Sequence, residues 1–212
     1  MTVDLSVYLV TDPDQVARRG RELPDVVAAA VAGGVTAVQV RDKSASGRDF
    51  LSAVTRVADV LPERVALFVN DRVDVFLAAR ANGVRVTGVH IGQDDLPLPV
   101  VRTLVGPTAV IGVSAAAPDE LAAAGAADYV GIGALHATRT KPDAPAALGV
   151  DGFARLAALT ALPAVAIGGV TVADLAPLRA AGAAGVAVVS AVCDADDPFA
   201  AAASLSSAWR AS

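Results

Sequence analysis

Cysteine occurs once in the 212 residues, at Cys193, so no internal disulfide can form. With only two histidines beside it, the chain has no ordinary zinc set, and any metal is expected to be a hard ion held by carboxylates. Aromatic residues make up 4% and the formal net charge is −5, which denies the protein the cationic surface and stacking platforms of nucleic-acid binders. The start, Met1-Thr-Val-Asp-Leu5, has neither the basic residues nor the apolar stretch of a signal peptide. Gly, Asp and Pro interrupt the Val/Ala-rich tail before any run reaches bilayer length. The expectation is a cytoplasmic protein that binds neither membrane nor nucleic acid.

What is abundant is Val and Ala, in a chain that is 54% apolar, enough for one sizeable core. Val suits pleated strands and Ala suits helices. Strand-like runs fall at Leu5 to Val10, Val35 to Val40, Val65 to Val69, Thr87 to Ile91, Ala109 to Val113, Tyr129 to Ile132, Ala164 to Ile167 and Gly185 to Val189. Helical spacing lies between them at Pro24 to Ala32, Gly47 to Val60, Arg72 to Ala81, Pro99 to Leu104, Pro118 to Ala124, Val150 to Leu159, Val172 to Ala181 and Pro198 to Trp209. The glycines after Ala32, Ala124 and Ala181 predict helix stops with a left-handed residue. This recurring unit predicts an α/β fold, a single (β/α)8 TIM barrel over residues 1–212, with an open doubly wound sheet as the alternative.

Four apolar runs end in polar clusters, which a parallel sheet would gather on one rim. Gln39, Arg41 and Lys43 alternate, so a period of two aims them to one side: a guanidinium fork and an ammonium for phosphate, an amide to read a heterocycle edge. The plainer reading is a solvated strand end. Asn70 and Asp71 could simply cap a helix. However, Asp94 and Asp95 follow the next strand, and two carboxylates meeting across about 5 Å of sheet need a cation such as Mg2+ between them. Spacing does not decide between Asp94 and Asp95.

Thr138, Thr140 and Lys141 follow Tyr129-Val-Gly-Ile-Gly133 and supply hydroxyls and charge, or merely a turn. Gly168-Gly169 and Val189-Ser190 end the seventh and eighth strands, the usual phosphate cradle of such a barrel, although a double glycine is also a plain tight turn. Gly112-Val-Ser114, with Asp128 and His136 following, invites a serine-hydrolase triad. Ala116 replaces the final glycine of that motif, and the acid and base lie only a loop apart, so Ser114 reads instead as a helix cap or phosphate donor. His90 reads as a satisfied core histidine, His136 as a loop residue, and Cys193 as inert.

Taken in order, Tyr8-Leu-Val-Thr-Asp12, Gln39-x-Arg41-x-Lys43, Asn70-Asp71-Arg72, Gly88-Val-His-Ile-Gly-Gln93-x-Asp95, Gly112-Val-Ser114, Asp128-Tyr-Val-Gly, Thr138-x-Thr140-Lys141, Ala166-Ile-Gly-Gly169 and Gly182 to Ser190 resemble the thiamine phosphate synthase family nearly end to end. The resemblance implies a Mg2+-dependent transferase joining 4-amino-2-methyl-5-(hydroxymethyl)pyrimidine diphosphate to a thiazole ethyl phosphate, two small-molecule substrates, in a possible homo-oligomer. It implies that Gln39, Arg41, Lys43, Asn70, Ser114 and Lys141 hold the pyrimidine diphosphate and that Asp71 and Asp95 hold Mg2+. Thr138, Arg139, Thr140, Gly169, Val189 and Ser190 would hold the thiazole phosphate. The implied mechanism is dissociative, with Arg41, Lys43 and Lys141 stabilising the departing diphosphate and the Thr138 loop closing against water.

The sequence departs from that pattern at Asp42, where the family usually has Glu, and at Ala134, where Pro is common. Arg80 to Thr87 is longer than usual. A thiazole tautomerase resembles the family in fold but usually lacks the Asn-Asp and Gln-x-Asp pairs present here. A barrel that binds phosphometabolites without catalysis is the non-enzymatic alternative.

Overall fold

The structure, a computed structural model, describes residues 3–137 and 147–212. Eight parallel strands close into a barrel: β1 (Val7–Val10), β2 (Ala37–Val40), β3 (Ala66–Asn70), β4 (Gly88–Ile91), β5 (Val110–Ser114), β6 (Tyr129–Gly133), β7 (Ala164–Ile167) and β8 (Gly185–Val188). Each pairs with its sequence neighbours and β8 pairs back with β1. Among the described residues no strand is left at an edge, and this closure excludes the open doubly wound sheet.

The helices are α1 (Pro13–Arg18), α2 (Leu23–Ala32), α3 (Gly47–Val60), α4 (Val73–Ala81), α5 (Leu98–Val105), α6 (Pro118–Ala123), α7 (Gly149–Ala157), α8 (Leu175–Ala180), α9 (Ser190–Cys193) and α10 (Pro198–Ala211). The segment read as one helix from Val172 to Ala181 is a 3-10 turn, Val172–Asp174, followed by α8. The short α1 and α9 carry too few turns for periodicity to reveal them.

The register divides the strand residues into two sets. Side chains such as Leu9, Val38, Leu67, Val89, Ile111 and Val130 join the helices in one apolar layer. Tyr8, Val10, Ala37, Phe68, Tyr129, Val165 and Ala187 fill the barrel itself. Both faces are therefore buried, which is why the strands read as near-continuous apolar runs. α3 illustrates the outer layer: Phe50, Val54 and Val57 recur along its buried face, and the Ser46 hydroxyl caps its start by accepting from the Asp49 N–H at 3.2 Å.

Gly34, with φ 109°, follows α2 where a side chain would strike Ser206 of α10, so that glycine lets the last helix close the outer ring. Gly182 also has positive φ, as expected after α8. Gly125 is not among the left-handed glycines, a correction to the expectation for that stop: Ala127 N–H bonds the Ala124 carbonyl at 2.8 Å and the chain turns without a left-handed residue. In the Arg80 to Thr87 connection, Gly83 has φ 76° and the Arg85 guanidinium donates to the Leu61, Pro62 and Val65 carbonyls. These bonds tie the α4–β4 connection to the α3–β3 connection.

Candidate active site at the C-terminal rim of the barrel

All eight strands run the same way, so everything just past their C-terminal ends shares one rim. Gln39 is buried in β2, and its Nε2 donates to the Tyr8 hydroxyl at 2.8 Å. The chain continues extended because Thr11 N–H donates to the Gln39 carbonyl at 2.9 Å and Arg41 N–H to Thr11 Oγ1 at 3.0 Å. Arg41 is half-buried and Lys43 exposed, and both line a hollow of about 220 Å³ with Asp12 and Asp14. The three cluster residues thus sit at successive depths. The Asp42 carboxylate is spent on the turn, accepting from Ser44 N–H, Ser44 Oγ and Ala45 N–H.

Asn70 closes β3, and Asp71 follows in the left-handed region at φ 58°, its N–H donating to the His90 carbonyl at 2.8 Å. Helix α4 starts only at Val73, after Arg72 at the cap position, and no side chain caps it. Capping therefore does not explain Asn70-Asp71. The Asp71 carboxyl turns to the neighbouring strand end and shares a hydrogen bond with Asp95. Burial, then the Asp95 charge and that hydrogen bond, raise its pKa to about 6, while Lys43 and the Asn70 side chain pull the other way. Asp95 is half-buried and Asp94 exposed, so Asp95 is the inward member; its Oδ2 also accepts from Gly92 N–H at 2.7 Å.

Ser114 ends β5 with its Oγ 3.0 Å from His90 Nε2. It caps nothing, since α6 begins at Pro118 behind Ala117. Its carbonyl accepts from Gln93 Nε2 at 2.6 Å. The hydrolase triad does not assemble: Asp128 accepts from Ile111 N–H and from Arg102, while His136 Nε2 is 2.9 Å from Asp174.

At the ends of β7 and β8, Gly168 and Gly169 have φ 96° and 70°, and a side chain on them would strike Ala134 and His136 respectively. The doublet is needed for the β6 loop to pack there. Leu135 and His136 N–H extend the ladder to the Ile167 and Gly168 carbonyls, and the far side of the loop returns through Leu148 N–H to the Ala134 carbonyl at 3.0 Å. Both described ends of this loop are therefore fixed despite Ala134. Ser190 opens the short α9 behind Val189. Thr138, Arg139, Thr140 and Lys141 lie outside the described residues. Cys193 is buried, and burial pushes its thiol up to about 12, consistent with an inert residue.

Tyr8 and Tyr129 belong to the sequence motifs, yet spacing assigns them no role. The structure buries both beside His90 under this rim, with Tyr129 Oη 2.9 Å from Tyr8 Oη and 2.9 Å from His90 Nδ1. The signal that could have found them is a polar group at an inward position of a strand that is otherwise apolar.

Fold and rim together define a (β/α)8 barrel of the kind that gathers its chemistry at the C-terminal strand ends. A sequence profile described as thiamine monophosphate synthase matches residues 7–192. Over 205 residues, 95% of this chain and 94% of the relative, the sequence is 51% identical to a thiamine-phosphate synthase of Solidesulfovibrio magneticus. A thiamine-phosphate synthase of Azorhizobium caulinodans is 47% identical over 156 residues, 72% of this chain and 70% of that protein. Among solved structures, a thiamine phosphate pyrophosphorylase from Pyrococcus furiosus superposes with a TM-score of 0.84 at 32% identity, covering 98% of this chain and 96% of that one. The chain belongs to the thiamine monophosphate synthase family, and is a transferase of thiamine biosynthesis.

Proposed function

We propose that the protein condenses 4-amino-2-methyl-5-(hydroxymethyl)pyrimidine diphosphate with a thiazole ethyl phosphate, giving thiamine phosphate and diphosphate. The observation that supports this most directly is the meeting of Lys43, Asn70, Asp71 and Asp95 on the rim beyond Gln39. An amide at the bottom and a cation beside two acids suit a heterocycle carrying a diphosphate.

The paired acids fit Mg2+. Among the described residues no group of three or more His, Cys, Asp or Glu could hold a metal, so Asp71 and Asp95 would supply two oxygens and leave the other positions of a hard ion to water and ligand oxygens. When bound, the ion would offset charge on the diphosphate.

The reaction proceeds by breaking the methylene–oxygen bond of the pyrimidine, with both electrons leaving on the diphosphate. The ring amino group stabilises the resulting cation, and the thiazole nitrogen attacks the methylene carbon. Arg41, Lys43 and Lys141 lower the energy of the departing anion, and no protein nucleophile takes part. Thr138, Arg139, Thr140, Gly169, Val189 and Ser190 bind the thiazole phosphate in this reading.

The test mixes purified protein with both substrates, with and without Mg2+, and follows diphosphate and thiamine phosphate. Equal amounts of the two products, formed only with the metal, are expected. Tight binding of both substrates with no diphosphate after hours would reduce the protein to a passive binder.

A further inference from the structure

Beneath the rim, five side chains from five strands join end to end. Gln39 Nε2 donates to Tyr8 Oη at 2.8 Å, Tyr8 Oη lies 2.9 Å from Tyr129 Oη, Tyr129 Oη 2.9 Å from His90 Nδ1, and His90 Nε2 3.0 Å from Ser114 Oγ. The path starts at the Gln39 amide and ends at the Ser114 hydroxyl, two groups assigned above to the pyrimidine diphosphate in the proposed function. Tyr8 and Tyr129 are each 1% exposed. Their phenols are raised by burial, so both keep their protons at working pH.

The donor inventory leaves such a path two arrangements. Each phenol has one proton, and a neutral imidazole has one donor and one acceptor. With the Gln39 nitrogen donating, Tyr8 must donate to Tyr129 and Tyr129 to His90 Nδ1. His90 then carries its proton on Nε2 and donates to Ser114, whose own proton points elsewhere. Turning the Gln39 amide over reverses every link: its oxygen accepts from Tyr8, His90 is protonated on Nδ1, and the Ser114 proton is consumed by His90. Neighbouring links polarise one another, so a mixed arrangement leaves a buried group unsatisfied.

We propose that this path is a directional wire, with Gln39 as donor at one end, which makes recognition of an amino group at Gln39 and of an anionic oxygen at Ser114 a single coupled event. A ligand with both groups favours the same direction twice, because the Gln39 oxygen is left for the amine and the Ser114 proton for the anion. A ligand with a carbonyl in place of the amine offers no donor to the Gln39 oxygen, so its contact at Gln39 no longer reinforces the direction that an anion favours at Ser114. Tyr8, Tyr129 and His90 act here as positioning residues. The same direction makes His90 a donor to Ser114, so it does not activate that serine as a nucleophile.

Space for the wire is built into the sheet. A side chain on Gly112 would overlap the Tyr129 ring and hydroxyl, and one on Gly131 would come within 3.3 Å of His90 Cε1. Tyr129 also packs edge-on to Phe68, with ring centroids 5.5 Å apart, which fixes the phenol between its partners.

The choice of ligand rests on the function proposed above, so two measurements keep the failures apart. The first uses ligand-free wild-type protein labelled with 15N-histidine, where His136→Gln assigns the two rings. A neutral His90 with its proton on Nε2 is expected; a proton on Nδ1, or on both nitrogens, overturns the wire whatever the enzyme's substrate. The second uses calorimetry with the 4-amino and 4-oxo pyrimidine methyl diphosphates, comparing wild type with Tyr129→Phe and Tyr8→Phe. Each cut should reduce the amino-over-oxo preference by about tenfold or more. An unchanged ratio in a folded variant overturns the coupling. If neither pyrimidine binds wild type, the proposed function fails, and the imidazole spectrum still decides the wire.

Discussion

Asp71 and Asp95, at the ends of neighbouring strands, share a hydrogen bond between their carboxyl groups, and Asp71 is raised to about 6 by burial and by its partner. An unfolded aspartate titrates near 3.8. Between those values the folded protein binds the extra proton, so the pair's contribution to stability falls as pH rises through this window, and the deficit persists above it. Metal-free Asp71→Asn should therefore melt higher than wild type above pH 6 and lose that advantage near pH 4. Mg2+ at pH 7.5 should raise the melting temperature of wild type but not of Asp71→Asn. Thermal melts with and without chelator read both; an equal response to Mg2+ would remove the pair as its site.

The same pair governs turnover in the proposed reaction. Asp71→Ala and Asp95→Ala should each lower kcat/KM by at least about a hundredfold, as expected for loss of charge stabilisation on a leaving group. Steady-state diphosphate release measures it. Near-normal rates in both variants would take the acids out of the mechanism.

Gly112→Ala should be costly although it adds one methyl group. The new carbon falls within the Tyr129 ring, and both strands are interior to a closed barrel with no room to shift. Overpacking of this kind costs about 1–3 kcal/mol, and each kcal/mol lowers Tm by roughly 2–4 °C at this chain length. Urea denaturation of Gly112→Ala and of the control Gly125→Ala, whose added carbon meets nothing within 4 Å and whose backbone, like that of Gly112, is not left-handed, separates the packing cost from the backbone cost of losing a glycine.

The barrel was legible because period and punctuation agree: each Val- and Ala-rich run returns as a strand, Ala164 to Ile167 with the same bounds and the others shifted by one or two residues at their ends. The rim was legible because Arg41, Lys43 and Asp71 stand just past such runs, where parallel strands leave the sheet on one side. The choice of Asp95 over Asp94 was not, since it depends on which carboxylate the Gly92 turn draws inward. The wire was hidden for a different reason. Its links join residues up to 121 positions apart, and only barrel closure and register bring Tyr8 to Tyr129. His90 reads as a core residue and is one, but its hydrogen bonds to Tyr129 and Ser114 give it direction as well as satisfaction.

Asp128 discriminates the discarded triad from a structural role. Its Oδ2 accepts from Ile111 N–H at 2.7 Å and from Arg102 at 2.6 Å, and Arg102 also donates to the Gly106 and Ala109 carbonyls. Asp128→Ala leaves a β5 N–H without its acceptor and the half-buried Arg102 guanidinium without its counter-charge, at a cost of about 1–3 kcal/mol. Stability should fall while kcat, measured well below Tm, stays within about twofold of wild type. A loss of several orders of magnitude in a folded variant would bring the acid back into the chemistry.

Cys193 offers a test of packing at the C-terminal end of the barrel. Its Sγ sits 3.8 Å from the Val10 carbonyl, and burial pushes the thiol up to about 12, so almost no thiolate exists at pH 8. Alkylation proceeds through the thiolate. The folded protein should therefore resist iodoacetamide for hours at pH 8 and react within minutes in urea, as read by intact mass. Both substrates bound together should slow any residual labelling, because ligands that bind only the folded state suppress the opening that exposes the thiol. Rapid labelling without denaturant would mean that α9, which carries both Ser190 and Cys193, opens locally in the folded protein, and the phosphate site proposed at Val189-Ser190 would then be assembled only when its ligand arrives.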